Sequence, residues 1–196
     1  MLCIHPAVRV PCGLWCRPWA LPAAVLMVLS LAACSPALNW REVRAATAPL
    51  VLMLPCKPDQ GSRSVPFAGR DTMLQMLGCD AAGMTFAVAH AEIAPAADAQ
   101  AVLAQWKQIT LTHVRAEGAQ ESAARVSGAT SAAAALPALR VRARGRAPDG
   151  AALHTEALYF VQGRRVVQAV LYAKADSHEA REAADTFFAG LKVTAP

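Results

Sequence analysis

The chain has 196 residues, enough for one domain of ordinary size, and carries a formal charge of +5. Its 55% hydrophobic content is swollen by an apolar N-terminal stretch and by alanine runs such as 131–135. Removing residues 1–33 takes away Arg9 and Arg17 and no acid, leaving +3. That balance suits contact with anionic lipid or glycan and excludes a nucleic-acid footprint.

From Trp19 to Ala33 the chain reads WALPAAVLMVLSLAA, fifteen residues with no charge and one proline. A bilayer-spanning helix needs about 20 apolar residues. The run is short for that and fits the apolar core of a secretion signal. An uncleaved anchor is the alternative, though Pro22 and the polar Ser35-Pro36 shorten any span. Small residues close the run at Leu31-Ala32-Ala33-Cys34, a tetrapeptide that resembles the lipobox of bacterial lipoproteins. The resemblance implies that the Cys34 sulfur receives a diacylglycerol, that a peptidase cuts just before it, and that the new amino group is acylated. Several acyl chains, at about 0.8 kcal/mol per buried CH₂, anchor firmly. Ser35, in the place where an aspartate favours inner-membrane retention in that family, implies the periplasmic face of the outer membrane. The chain then divides into a signal peptide (1–33), a lipidated tether (34–39) and a single α+β domain (40–196).

Three of the six cysteines remain after the leader: Cys34, Cys56 and Cys79. With Cys34 lipidated, an even pair is left in an oxidising compartment, which predicts a Cys56–Cys79 disulfide. A metal site would need two more ligands at suitable spacing, and a reactive dithiol usually takes the form CxxC, which is absent.

In chain order, 40–44 alternates as a first strand, and Leu50–Leu54 (LVLML) is a buried strand stopped by Pro55. Residues 57–63 are turn material. A short strand over 64–67 is confined to an edge by Pro66. Strands over 72–77 and 85–93 flank a loop at 79–83. Val102, Trp106, Ile109 and His113 then mark one face of a helix over 97–115, with Asp98 as its cap. The Ala/Ser/Gly-rich residues 117–135 read as a flexible connection or a weak helix. Leu139–Arg146, Ala152–Val161 and Arg165–Ala173 form a three-strand meander joined by Pro148-Asp149-Gly150 and Gly163 turns. Asp176-Ser177-His178-Glu179 resembles a capping box. The helix it opens presents Ala180, Ala183, Ala184, Phe187, Phe188 and Leu191 to a core, with Gly190 near its end.

The order predicts an α+β fold, an antiparallel sheet packed with two helices after a cleaved signal peptide. In outline it resembles the PsbP-like sandwich, through that element order and the closing Phe187-Phe188-Ala189-Gly190-Leu191-Lys192-Val193. The segments LNWRE (38–42), LPCKPD (54–59) and LGCDAAGMTFAV (77–88) resemble those of uncharacterised proteobacterial envelope lipoproteins, a likeness that implies no activity.

Arg140, Arg142, Arg144 and Arg146 alternate, so all four project from one face of a strand, with Arg164 and Arg165 at a later turn. They read either as an anion-binding face or as a solvated sheet face whose charges oppose aggregation. His90, His113, His154 and His178 show no metal spacing, and Asp59, Asp71 and Asp80 lie where loop aspartates make turns. Trp40 and Trp106 read as core anchors, and Tyr159 and Tyr172 as a cross-strand pair. No GxSxG, HExxH or Gly-rich phosphate loop is present. The expectation is a non-enzymatic envelope lipoprotein without a cofactor. Its partners are the membrane, through the lipid on Cys34, and an anionic envelope component or a protein. The rivals are a small-ligand binder and an enzyme with a dispersed site.

Overall fold

The computed structural model describes residues 37–67, 69–94, 98–128 and 138–194. The signal segment, Cys34 and the stretch 129–137 lie outside the described residues. Within them the chain forms two sheets and two helices, an α+β fold.

The larger sheet has seven strands in the order β3-β4-β5-β9-β8-β7-β6, with every neighbouring pair antiparallel. These are β3 (Asp59–Phe67), β4 (Arg70–Ala81), β5 (Met84–Glu92), β6 (Ala119–Ala124), β7 (Ala138–Arg146), β8 (Ala152–Gln162) and β9 (Arg165–Ala173). A second sheet of three strands pairs β1 (Arg41–Arg44), β2 (Leu50–Leu54) and β10 (Lys192–Val193) in the order β1-β2-β10. One face of the large sheet carries helix α1 (Ala99–His113). The other carries helix α2 (His178–Ala189) together with the small sheet. A strand packed against both a sheet face and a helix has no wet side, which explains the unbroken LVLML of β2. Its Leu50, Leu52 and Leu54 are buried beside Phe86, Phe187 and Leu191.

Helix α2 follows its pattern. The Ser177 side chain accepts a hydrogen bond from the Ala180 N–H, and Ala180, Ala183, Ala184, Phe187 and Phe188 are buried at helical spacing. Phe187 meets Phe86 edge-on at 5.5 Å, and Trp40 meets Phe86 edge-on at 5.7 Å. Phe86 and Phe187, both fully buried, each contribute about 1.5–3 kcal/mol. Gly190 ends the helix at φ −78, in the right-handed region. Its role is close approach, since a Cβ there would stand 2.4 Å from Met53 Cβ.

Several expectations change. On α1 the buried face is Val102, Trp106, Thr110 and then Val114, while Ile109 is 49% exposed and His113 faces solvent. Four-residue steps advance about 40° each, so this row winds slowly around the helix as it packs on the sheet, with Trp106 against Phe67 at 5.2 Å. Residues 119–124 are neither flexible connection nor helix but edge strand β6, paired along its length with β7 and tied to α1 by Lys107–Glu121 at 2.6 Å. Pairing with a long neighbour overrides the weak strand preference of AQESAA. Residues 59–63 belong to β3, an edge strand with Pro66 near its end. The loop expected at 79–83 shrinks to Ala82-Gly83, both at positive φ. Tyr159 pairs with Gln168 and Tyr172 with Thr155, so the tyrosines share a face without standing opposite one another. The Tyr159 hydroxyl instead accepts from Gln168 Nε2 (2.9 Å), which also donates to Thr110 Oγ1 on α1 (2.8 Å). That buried network joins helix to sheet.

Cys56 and Cys79 form a disulfide. Cys56 follows β2 of the small sheet and Cys79 lies in β4 of the large one, so the bond ties the two sheets together, not neighbouring strands of one sheet. No helix among the described residues is long and apolar enough to cross a membrane.

Candidate functional site

The turn at 147–150 sets the register of the β7–β8 hairpin. Ala151 N–H donates to Asp149 Oδ1, Gly150 N–H donates to Ala147 C=O, and Arg146 pairs with Ala152. Counting back, Arg144 stands opposite His154, Arg142 opposite Glu156 and Arg140 opposite Leu158. The alternating arginines thus share the face that carries α2, and each meets a different neighbour.

Glu156 is fully buried. Its Oε2 accepts from Arg140 Nε and from Arg142 Nε, each at 3.0 Å, and its Oε1 lies 3.3 Å from His154 Nε2. Burial pushes the carboxyl upward, but the hydrogen bonds from His154, Arg140 and Arg142 outweigh it and hold the group at about 2. Arg140 also pairs with Asp185 of α2 at 2.6 Å and lies over the Phe188 ring at 5.0 Å. Arg140 is therefore internal, a strap between sheet and helix.

Arg142 divides its role. Its Nε is held by Glu156, while the side chain remains 43% exposed at the wall of a cleft of about 280 Å³. The cleft is walled by residues 117–120, 142–144, His154 and Asp176. Gly145 builds this wall. A Cβ there would stand 2.1 Å from Val114 C=O, so only glycine lets the loop after α1 lie on the end of β7. Arg146 N–H then donates to Val114 C=O and Glu117 N–H to Arg144 C=O, both at 2.7 Å. These bonds set Glu117–Gln120 along the edge of β7 as one wall of the cleft.

Arg144 is exposed and lines the cleft, and among the described residues it has no carboxylate within ion-pair distance. Arg146 lies 3.6 Å from Glu117, both more than half exposed, a pair of little energetic weight. Arg164 and Arg165 sit at the opposite end of β8, where Arg164 pairs with Glu92, and do not join the stripe.

His154 is buried, opposite Arg144 on the neighbouring strand. An ionised carboxylate only accepts, so in the neutral ring Nε2 carries the proton toward Glu156. Nδ1 is then a lone-pair acceptor, buried and without a hydrogen-bond partner. Asp176, just beyond β9, approaches His154 Nε2 to 3.8 Å and Arg181 Nε to 3.4 Å. His90 lies apart, buried on the same face of the sheet, with Nε2 3.2 Å from Thr47 Oγ1. Burial first, and Arg165 second, lowers it to about 4. Asp59 and Asp80 flank the disulfide, Asp80 accepting from Thr85, while Asp71 pairs with Pro66 farther along the β3–β4 hairpin. Among the described residues no cluster of metal-ligating side chains forms.

The arginines were legible as a stripe. Glu156, His154 and Asp176 were not singled out as partners, although Glu156 interrupts the apolar strand ALHTEALYFV and the turn at 147–150 fixes its register against Arg142. No family model matches the sequence, and no curated protein does. In fold outline the chain is similar to the solution structure of cyanobacterial PsbP (CyanoP) from Synechocystis sp. PCC 6803, with 12% identity, a TM-score of 0.47, and coverage of 82% of this chain and 95% of that one. It is also similar to a Pseudomonas aeruginosa protein of unknown function, with 12% identity, a TM-score of 0.38, and coverage of 74% of this chain and 90% of that one.

Proposed function

We propose that this chain is a lipid-anchored envelope lipoprotein, tethered by Cys34 to the periplasmic face of the outer membrane, whose domain binds an anionic group of another envelope component. The anchor reading is supported by Leu31-Ala32-Ala33-Cys34 and the apolar run before it. The binding reading is carried by one observation: Arg144 stands uncompensated in a cleft beside half-exposed Arg142. A guanidinium fork so placed suits a carboxylate or phosphate, which it grips with two parallel hydrogen bonds. The role we propose is recognition, carried by the two guanidinium groups that line the cleft.

Two measurements in the native envelope test it. Cys34→Ala should abolish labelling by a clickable fatty acid and release the protein from the membrane fraction; labelling that persists refutes the anchor. A photo-crosslinker at Gln120, which lines the cleft, should capture an envelope component, and Arg144→Glu should remove that product. A product indifferent to Arg144→Glu refutes the cleft as the binding site.

A further inference from the structure

Resting on the anchor at Cys34 and on the cleft as the binding site, we infer that the anionic group is the phosphate of a phospholipid in the same leaflet that holds the anchor. The domain then lies with one end of its large sheet against the membrane. The covalent chain sets the first limit. Cys34 and Ala37 are three residues apart, a reach of about 11 Å at full extension. From Leu38 onward the chain has no slack. Leu38 and Trp40 pack on the core, and the Asn39 N–H donates to the Pro55 carbonyl at 3.0 Å. An acylated Cys34 therefore holds the point where the chain joins the fold close to the headgroup layer.

That point and the cleft share one end of the sheet. Pro55 leads into Cys56, which is bonded to Cys79, two residues before β4 ends at Ala81. Register carries the same level across to the cleft: Ala81 pairs with Met84, Met84 with Ala173, Ala173 with His154, and His154 with Arg144. Four strand spacings of about 4.8 Å put Arg144 about 19 Å along this row from β4. The turn at 82–83, the loop after β9 and the loop after α1 close the same end. It carries Lys57, Arg115, Arg144 and Lys174, all exposed and none with a carboxylate at ion-pair distance among the described residues. Most acids at this end are engaged within the chain. Asp80 accepts from Thr85, Asp149 accepts from the Ala151 N–H, and Glu117 and Asp176 face Arg146 and Arg181. One guanidinium holds a free anion weakly, but a tether makes the encounter intramolecular, with headgroups at high effective concentration. The neighbouring cations add attraction to an anionic surface.

The test uses lipid-modified protein purified from membranes, its acyl chains verified by intact mass, in vesicles of phosphatidylcholine with or without phosphatidylglycerol. A photo-crosslinker stands at Gln120 in the cleft or at Asp71, ten residues from Ala81 along β4 and so about 33 Å toward the far end. Lipid adducts are measured by mass spectrometry. The Gln120 probe should capture lipid, and more of it with phosphatidylglycerol than without, whereas the Asp71 probe should capture none. Arg144→Ala should lower the phosphatidylglycerol adduct at Gln120 about fivefold. The comparison of the two probe positions is decisive even if that variant misfolds. Equal capture at both positions, equal capture in both vesicles, no adduct at Gln120, or an undiminished adduct in folded Arg144→Ala each overturns the inference. The crosslink in the native envelope then decides the cleft reading separately. Protein that carries no acyl chain on Cys34 overturns the anchor and this inference together.

Discussion

Replacing Glu156 by Gln keeps the shape of the side chain and removes its charge. The carboxylate is fully buried, and both Arg140 and Arg142 depend on it. Its carboxyl is held at about 2, against 4.5 for the ordinary group. At 1.36 kcal/mol per unit, that depression corresponds to about 3 kcal/mol of folded-state stability at neutral pH. Leaving a buried pair half-made costs about 3–5 kcal/mol, in line with this figure. The sign follows from the direction: the folded-state value lies below the unfolded one, so the stability is present above about 4.5 and is lost as pH falls toward 2. Glu156→Gln should lower stability by about 3 kcal/mol at pH 7, a loss of roughly 6–12 °C in Tm for a domain of this size. At pH 3 the carboxylate retains about half of its contribution, so the gap between unaltered protein and variant should narrow to about 1.5 kcal/mol. Urea denaturation followed by circular dichroism at both pH values measures the gap, and the titration of other groups cancels in the difference. A gap of the same size at pH 7 and pH 3 would show that Glu156 acts through shape, and the electrostatic account would fail.

Three further perturbations probe other parts of the fold. His90 is held at about 4 by burial and by Arg165, so stability should be complete above its ordinary value of 6.5 and decline by about 3 kcal/mol as pH falls from there to 4; His90→Gln should flatten the stability profile in that window, and an unchanged slope counts against it. Ala82 occupies the first position of a two-residue hairpin turn at φ 51, a conformation that costs a Cβ-bearing residue about 1 kcal/mol, so Ala82→Asn should raise the unfolding free energy from urea denaturation by up to about 1 kcal/mol, and a fall would refute this account of the turn. Gly190→Ala places a methyl 2.4 Å from Met53 Cβ and should destabilise by about 1–3 kcal/mol in the same assay; a neutral result would mean that α2 and β2 slide apart freely.

Local chemistry was the part of the fold that the sequence made legible. The meander β7–β8–β9 follows from a Pro-Asp-Gly turn and a glycine at positive φ, each acting over a few residues. Helix α2 follows from an apolar stripe that any 3.6-residue period reveals. The rest depends on partners distant in the chain. Strand β10 has two residues, and it exists because β2, about 140 positions earlier, offers an open edge. Strand β6 has little intrinsic preference for its state and takes it from β7.

The cleft combines both kinds of information. Alternation alone places Arg140, Arg142, Arg144 and Arg146 on one face and treats them as equivalent. Register then makes them unequal, because a single buried carboxylate opposite the second arginine consumes the first and half of the second. The fourth rests beside Glu117 at the rim. The third is left facing an imidazole that is already donating elsewhere, so among the four it alone keeps its charge for something outside the chain. A uniform stripe of arginines would give a diffuse, salt-sensitive attraction to any polyanion. One guanidinium without an ion-pair partner among the described residues, set in a cleft, gives a short-range and directional site, which is why the choice between a surface that repels aggregation and a surface that recognises a ligand turns on Arg144 and not on the stripe as a whole.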